Sequence, residues 1–480
     1  MKILVATWGL PWKNNKGNPL DPGWESSNDT MGWQKVTYKW KDKRMTCRTD
    51  LPLLASSIKP DQTLVIVLDT VTEIFRDTYT VLLKDVENLF QGFLKTIEEK
   101  TPFPFMNNLQ ILASPGTGTY NKAHFKGELL DFFYHLYYCL AIYLSSMPCE
   151  EIIELHLDLT HGVNFMPTLT YRALRDLGSL LAMTTKVSLS VYNSEPFTRE
   201  RSPESVLEIH EVESVQLFPS PHFNMIEATN LRPLKAPSDL SRRHSNLLET
   251  WATEARFSRS LSQVRSKQVI DWINCFCSAT MNGIPLAMLH FRIDTHGLKS
   301  YLEKLTNLYR DGITLSRAND EVEFILERQY SFTRQFLALV KTWIATVLLE
   351  KIIPPRIHGD QTYSLKDLFK LKNGLLKRDK KVEATVNLEL NKLRFLKSKR
   401  LPHWIPYKDL MGHEEKSNRE KMREKDLRNF NRNFLAHVGF ESTAIELKTD
   451  ENDLLIRYIK GEPVQNRIRE ALEKGITVTR

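Results

Sequence analysis

Near the end of a 480-residue chain, Asp426-Leu427-Arg428-Asn429-Phe430-Asn431-Arg432-Asn433-Phe434-Leu435-Ala436-His437-Val438-Gly439 brings a guanidinium, an amide and an imidazole into one short stretch. At about 100° per residue on a helix, Leu427, Phe430, Phe434, Leu435 and Val438 share one arc, and Asn429, Arg432, Asn433, Ala436 and His437 fill the opposite one. Asn433 and His437 are i, i+4 neighbours, Arg432 flanks them across the small Ala436, and Gly439 is placed to cap the helix. A cation that stays charged at neutral pH beside an imidazole that titrates there suits phosphodiester chemistry. The histidine can move protons, and the arginine can hold charge on a pentavalent phosphorus. In RNA the 2′-hydroxyl is itself the nucleophile, so cleavage would need no metal and would leave a 2′,3′-cyclic phosphate and a 5′-hydroxyl. An amphipathic helix with a merely solvated polar side has the same spacing.

The chain is long enough for two or three domains, and 41% hydrophobic with 26% charged residues is ordinary for folded soluble proteins. Its net charge of +8 is unevenly spread: residues 1–220 carry 21 Lys and Arg against 26 Asp and Glu, the remainder 45 against 32. Basic character therefore lies in the half with the Arg/His helix, as expected of a domain that attracts polyanions. Five cysteines, Cys47, Cys139, Cys149, Cys275 and Cys277, show neither paired ligand spacing nor a disulfide framework, which fits a reducing cytoplasm. The apolar run Leu129 to Met147 is broken by Asp131 and His135 and reads as a buried helix rather than a membrane span. Met1–Ala6 is too short for the apolar core of a signal peptide. A cytoplasmic protein without membrane contact is expected.

To place such a site, the elements must be read. Residues 1–220 alternate apolar, β-branched runs (Lys2 to Ala6, Thr63 to Asp69, Asn108 to Ala113, Ile152 to Asp158, Lys186 to Tyr192) with helical patterns over Val81 to Glu99, Lys126 to Ser146 and Pro167 to Met183. That alternation predicts a parallel α/β sheet. Residues 12–50 read as an inserted loop and hairpin, with alternation at Val36-Thr37-Tyr38-Lys39-Trp40, and Val206 to Val215 as a further strand. Pro219 to Pro237 marks a boundary, which predicts domains 1–225 and 226–480. Beyond it helical patterns dominate, at Leu247 to Ser258, Val269 to Met281, Leu298 to Tyr309, Glu321 to Glu350 and Tyr363 to Leu375. A basic run from Lys372 to Arg400, within an insertion of about 372–424, could line an RNA path or be a solvated helix face.

In open α/β sheets ligands sit beyond the carboxyl ends of the strands. After Ala113, Ser114-Pro115-Gly116-Thr117-Gly118-Thr119 offers glycines for close backbone approach and hydroxyls for an anion, though a plain turn explains it equally. It lacks a full dinucleotide fingerprint, which disfavours an oxidoreductase, and no P-loop occurs in the chain. After Asp158, Leu159-Thr160-His161-Gly162-Val163-Asn164 puts hydroxyl, imidazole, glycine and carboxamide in five residues ahead of a helix, suited to phosphate or a base edge.

Asp158-x-Thr160-His161-Gly162-x-Asn164 on a Rossmann-like N-terminal domain resembles the signature of CARF domains. Arg432-Asn433-x-x-x-His437 in a C-terminal helical domain resembles the HEPN ribonuclease motif. In this order they cover essentially the whole chain, and the combination resembles the type III CRISPR-associated CARF-HEPN ribonucleases. The resemblance implies an α/β plus α architecture and a homodimer or higher homo-oligomer. It implies a cyclic oligoadenylate that binds across the paired CARF domains as allosteric activator, with no cofactor required, and single-stranded RNA as the substrate. Arg432 and His437 would be catalytic with Asn433 in support. Trp8, Gly9, Ser114, Gly116, Thr117, Thr160, His161, Gly162 and Asn164 would line the activator pocket. Residues 12–50 and 372–424 have no counterpart in the resemblance. A non-enzymatic regulator that binds nucleic acid in response to the cyclic nucleotide is the alternative, distinguished by whether RNA stays intact.

Overall fold

The computed structural model describes residues 1–13, 31–33, 35–72, 75–99, 101, 105–120, 123–145, 152–197, 206–223, 226, 231–235, 266–317, 324–355, 361–377, 379–411, 430–451 and 453–478. The expected helix at Leu247 to Ser258, most of the 12–30 segment and the stretch 412–429, including Leu427 and Asn429, lie outside them.

Strands β1 (Lys2–Thr7), β2 (Val36–Trp40), β3 (Lys43–Cys47), β4 (Gln62–Leu68), β5 (Leu109–Ser114), β8 (Ile152–Asp158), β9 (Lys186–Ser194) and β10 (Val206–Leu217) form one sheet in the order β3-β2-β10-β9-β8-β1-β4-β5. The five strands β9-β8-β1-β4-β5 run parallel, as their continuous apolar composition demands: Leu64 to Leu68 and Ile3 to Ala6 are at most 2% exposed. β10 returns antiparallel along β9, and the expected hairpin β2-β3 extends that edge, β2 pairing parallel to β10. Helices α1 (Leu51–Ile58), α2 (Tyr79–Glu98), α3 (Leu130–Ser145) and α4 (Met166–Leu181) supply the other layers. α3 is the buried helix expected from Leu129 to Met147, and its Asp131 accepts hydrogen bonds from the Phe332 amide at 2.7 Å and the Tyr309 hydroxyl at 3.4 Å. Among the described residues no helix is long and apolar enough to cross a membrane.

The second half is chiefly helical, with α5 (Ser266–Met281), α6 (Pro285–His290), α7 (Thr295–Asp311), α8 (Arg334–Ile352), α9 (Leu365–Leu371), α10 (Lys380–Arg394), α11 (Phe430–Ala436) and α12 (Glu462–Val478). It also holds strands that helical patterning concealed. The single helix expected over Glu321 to Glu350 is a strand, β12 (Phe324–Arg328), followed by α8, which Thr333 caps by accepting the Gln335 amide. Phe324, Leu326 and Arg328 are buried and Glu327 is exposed, a period of two that only a strand satisfies. β12 pairs with β11 (Ile313–Ser316) and, in parallel, with β7 (Ala123–Lys126), whose hairpin partner is β6 (Gly118–Tyr120). One small sheet thus joins residues from both sides of the Pro219 to Pro237 boundary. A second, antiparallel, has the order β13-β16-β15-β14, from β13 (Tyr363–Ser364), β14 (Ile405–Pro406), β15 (Ile445–Asp450) and β16 (Asp453–Tyr458).

Candidate active site and ligand loops

α11 has the two faces its sequence requires. Phe434 is fully buried, Phe430 and Val438 nearly so, and the Phe434 ring lies 6.0 Å from that of Tyr458 on β16. Arg432 and Ala436 are exposed, Asn433 and His437 half-buried. The helix ends in a Schellman motif: the Gly439 amide donates to the Phe434 carbonyl at 2.8 Å and the Val438 amide to the Leu435 carbonyl at 3.1 Å. The left-handed position next to His437 is therefore Val438 (φ 45°), with Gly439 (φ 84°) following it. A β-branched residue there stores strain of about 1–3 kcal/mol, held by the packed surroundings.

His437 has a partner that sequence reasoning passed over. Its Nδ1 lies 3.1 Å from Glu389 Oε1, while Lys392 Nζ reaches the same carboxylate at 2.7 Å. Glu389 sits on the buried stripe of α10 with Val386, Leu390 and Leu393 and is 5% exposed on that side. Burial alone would raise its pKa, but the hydrogen bonds and charges of His437 and Lys392 outweigh burial and hold it below the ordinary value. An ionised carboxylate only accepts, so the Nδ1 proton of His437 is donated to it. Nε2 is left without a hydrogen-bond partner among the described residues. An acid on an otherwise apolar helical stripe was the signal for Glu389. The basic run around it is solvated: Lys377, Lys380, Lys381, Lys392, Arg394, Lys397, Lys399 and Arg400 are exposed, while Arg378 lies outside the described residues.

At the carboxyl end of the large sheet the loops after β1 and β8 meet, the loop after β5 is separated from them by β4, and not every named residue reaches the surface. Trp8 is wholly buried, edge-on to Trp33 at 5.2 Å and Phe93 at 5.8 Å, and braces the loop from behind. Ser114 is buried with its hydroxyl 3.3 Å from His135 Nδ1. Gly116 is buried, its amide donating to Asp69 at 2.8 Å, and a Cβ there would meet Thr70 at 2.6 Å. Gly9 is buried too, its amide bound to the His161 carbonyl at 2.8 Å. These four therefore shape the loops from inside, because the first turn after each parallel strand is covered by its neighbours. Thr117, Thr160, His161 and Gly162 are partly exposed, and Asn164 is exposed and in the left-handed conformation (φ 51°).

Thr160 and His161 line a cavity of about 470 Å³ with Trp33, Tyr38, Arg48, Asn193 and Phe197. The Thr160 hydroxyl donates to Asp50 at 2.6 Å and accepts from the Ser194 amide at 3.1 Å. The His161 ring stacks on Trp33 at 3.9 Å between centroids, and its Nε2 lies 3.3 Å from the Tyr38 hydroxyl. Burial lowers its pKa to about 3, so the imidazole is neutral. Beneath it burial pushes Asp158 up to about 6, and burial together with the neighbouring Asp158 carboxylate holds Asp50 well above the usual carboxylate range. Trp33, Tyr38, Arg48 and Asp50 all come from the segment read as an insertion; tertiary folding alone brings them to the Thr160 loop.

A Rossmann-like sheet followed by a chiefly helical unit that displays an Arg/His pair is the two-part organisation of a CARF-HEPN protein, and the chain belongs to the CRISPR-associated CARF-HEPN ribonucleases. The family model described as CRISPR system endoribonuclease Csx1, CARF domain, matches residues 3–196, and that described as CRISPR system endoribonuclease Csx1, HEPN domain, matches residues 379–461. A CRISPR system endoribonuclease Csx1 of Methanocaldococcus jannaschii is 29% identical over 462 residues, covering 93% of this chain and 86% of the relative. This relationship supports ribonuclease activity.

Proposed function

We propose that the protein is a cytoplasmic endoribonuclease that cleaves single-stranded RNA without a metal and is switched on by a cyclic oligoadenylate bound at its CARF domain. The observation that carries the reading is the display of exposed Arg432 beside half-buried His437, with Nδ1 committed to Glu389 and Nε2 uncommitted among the described residues, on a helix whose other side is core. In the proposed reaction the 2′-oxygen forms a bond to phosphorus as the bond to the 5′-oxygen breaks. The proton lost from the 2′-hydroxyl goes to an imidazole, a proton is returned to the 5′-oxygen, and Arg432 balances the charge on the phosphorane, with Asn433 in support. The products are a 2′,3′-cyclic phosphate and a 5′-hydroxyl.

One chain holds one such set, and a two-fold axis would bring two together while pairing the sheets around a ring-shaped ligand. Leu388 and Phe395, 59% and 81% exposed and seven residues apart along and just beyond α10, form the apolar surface a second copy would cover. Thr117, Thr160, His161, Gly162 and Asn164 would touch the activator, with Trp8, Gly9, Ser114 and Gly116 holding the loops. The flat neutral His161–Trp33 stack suits a base, and Arg48 suits a phosphate. Support for coupling comes from Arg328 of β12, which donates to the Gly116 carbonyl at 2.8 Å and pairs with Asp69 at 2.5 Å, tying a ligand loop to the second half of the chain. Activation would need the ligand to favour the cleaving geometry by about 1–3 kcal/mol.

The test incubates purified protein with single-stranded RNA and cyclic tetra- or hexa-adenylate in EDTA. Cleavage should rise on adding the activator, leave 2′,3′-cyclic phosphate ends, and vanish in His437→Ala. Activity that survives unchanged in His437→Ala, or that EDTA abolishes, rejects the reading.

A further inference from the structure

We propose that Glu389 is a positioning residue of the ribonuclease site: its carboxylate fixes the His437 proton on Nδ1 and so presents Nε2 as the atom that exchanges a proton with RNA. The inference rests on the role given to His437 above. Position 389 lies on a stripe otherwise made of Val386, Leu390 and Leu393, where leucine would pack without penalty and an acid must be desolvated. Two partners compensate it, His437 at 3.1 Å and Lys392 at 2.7 Å. Lys392 keeps the carboxylate ionised while the imidazole is neutral, so Glu389 remains an acceptor in both protonation states of His437. A free neutral imidazole carries its proton mainly on Nε2, where it could not act as a base toward the 2′-hydroxyl. The fixed carboxylate reverses that preference and also stabilises the imidazolium once Nε2 has taken a proton. Glu389 reaches this place from α10, more than forty residues away in sequence, and contacts His437 from the buried side, away from exposed Arg432.

The measurement is 15N NMR of histidine-labelled full-length protein, with the His437 signal identified by its loss in His437→Ala, alongside steady-state RNA cleavage with cyclic tetra-adenylate. The parent should show the Nδ1-protonated tautomer. In Glu389→Gln, whose amide can donate to Nδ1, the proton should move to Nε2. There kcat should drop about 10- to 100-fold with KM little changed, and Glu389→Asp should restore part of it. A Glu389→Gln protein with unchanged tautomer and kcat overturns the proposal, as does an Nε2-protonated parent. Should Glu389→Gln fail to fold, Glu389→Asp, whose shorter side chain draws the carboxylate back from Nδ1, carries the test through a smaller loss of the Nδ1-protonated tautomer and of kcat, and no change in either overturns it. Cleavage that persists in His437→Ala sinks the ribonuclease reading instead, and the NMR result still decides the Glu389–His437 pairing.

Discussion

Arg432 and His437 differ in how firmly they are held. His437 is clamped between Glu389 and the strained turn at Val438, whereas Arg432 extends from the exposed face. Its use would depend on the planar fork of the guanidinium, so Arg432→Lys, which keeps the charge but loses the fork, should lower kcat at least about tenfold. RNA affinity at low salt should change little; filter binding beside cleavage rates checks both. Gly439 is a steric requirement: at φ 84° a Cβ would lie 2.4 Å from Ile284 Cγ2 and 2.8 Å from the Tyr458 hydroxyl. Gly439→Ala should cost about 2 kcal/mol or more, read from urea unfolding, by moving the turn that follows His437.

Among the elements, the hairpin β2-β3 and the Thr160 loop form a unit whose charges respond to pH in opposite directions. His161, lowered to about 3 by burial, stays neutral in the fold while the unfolded chain takes up a proton below about pH 6.5. Its contribution is present above that pH and is lost as pH falls toward 3. Asp158, raised to about 6 by burial, holds a proton that the unfolded chain releases near pH 4, so its contribution is present at low pH and is lost as pH rises from about 4 to 6. The two partly cancel in the parent and separate in variants. His161→Gln should gain stability relative to the parent by roughly 1–2 kcal/mol between pH 6.5 and 5, and Asp158→Asn should gain between pH 4 and 6. Urea midpoints across that range test both signs, and a flat difference in either variant would contradict the assignment.

Across the whole molecule the halves are sewn together by β12 against β7 and by the fully buried Arg328–Asp69 pair, to which Tyr79 also donates at 2.7 Å. Arg328→Met leaves a buried carboxylate without its cation and should cost about 3–5 kcal/mol. Asp69→Asn with Arg328→Met should cost less than the two single changes together, as a double-mutant cycle would report. If a second copy covers Leu388 and Phe395, Phe395→Asp should lower the dimer fraction in light scattering and the activator-dependent cleavage in parallel. Loss of neither would place the contact elsewhere.

The chain itself dictated everything that depends on local periodicity and residue type. Continuous apolar runs specified the parallel strands, the 3.6 period specified both faces of α11, and the spacing of Arg432, Asn433 and His437 singled out the residues on which the proposed chemistry rests. Long-range contact determined the rest. β12 reads as helix until β7, about two hundred residues earlier, supplies its hydrogen bonds. Trp8, Ser114 and Gly116 hold the type expected of ligand residues and are buried because neighbouring loops cover them. Glu389, Asp50 and Trp33 acquire meaning only from partners 48, 110 and 128 positions away along the chain. Periodicity is a property of neighbours along the backbone; burial and pairing belong to groups that meet only when the chain has folded.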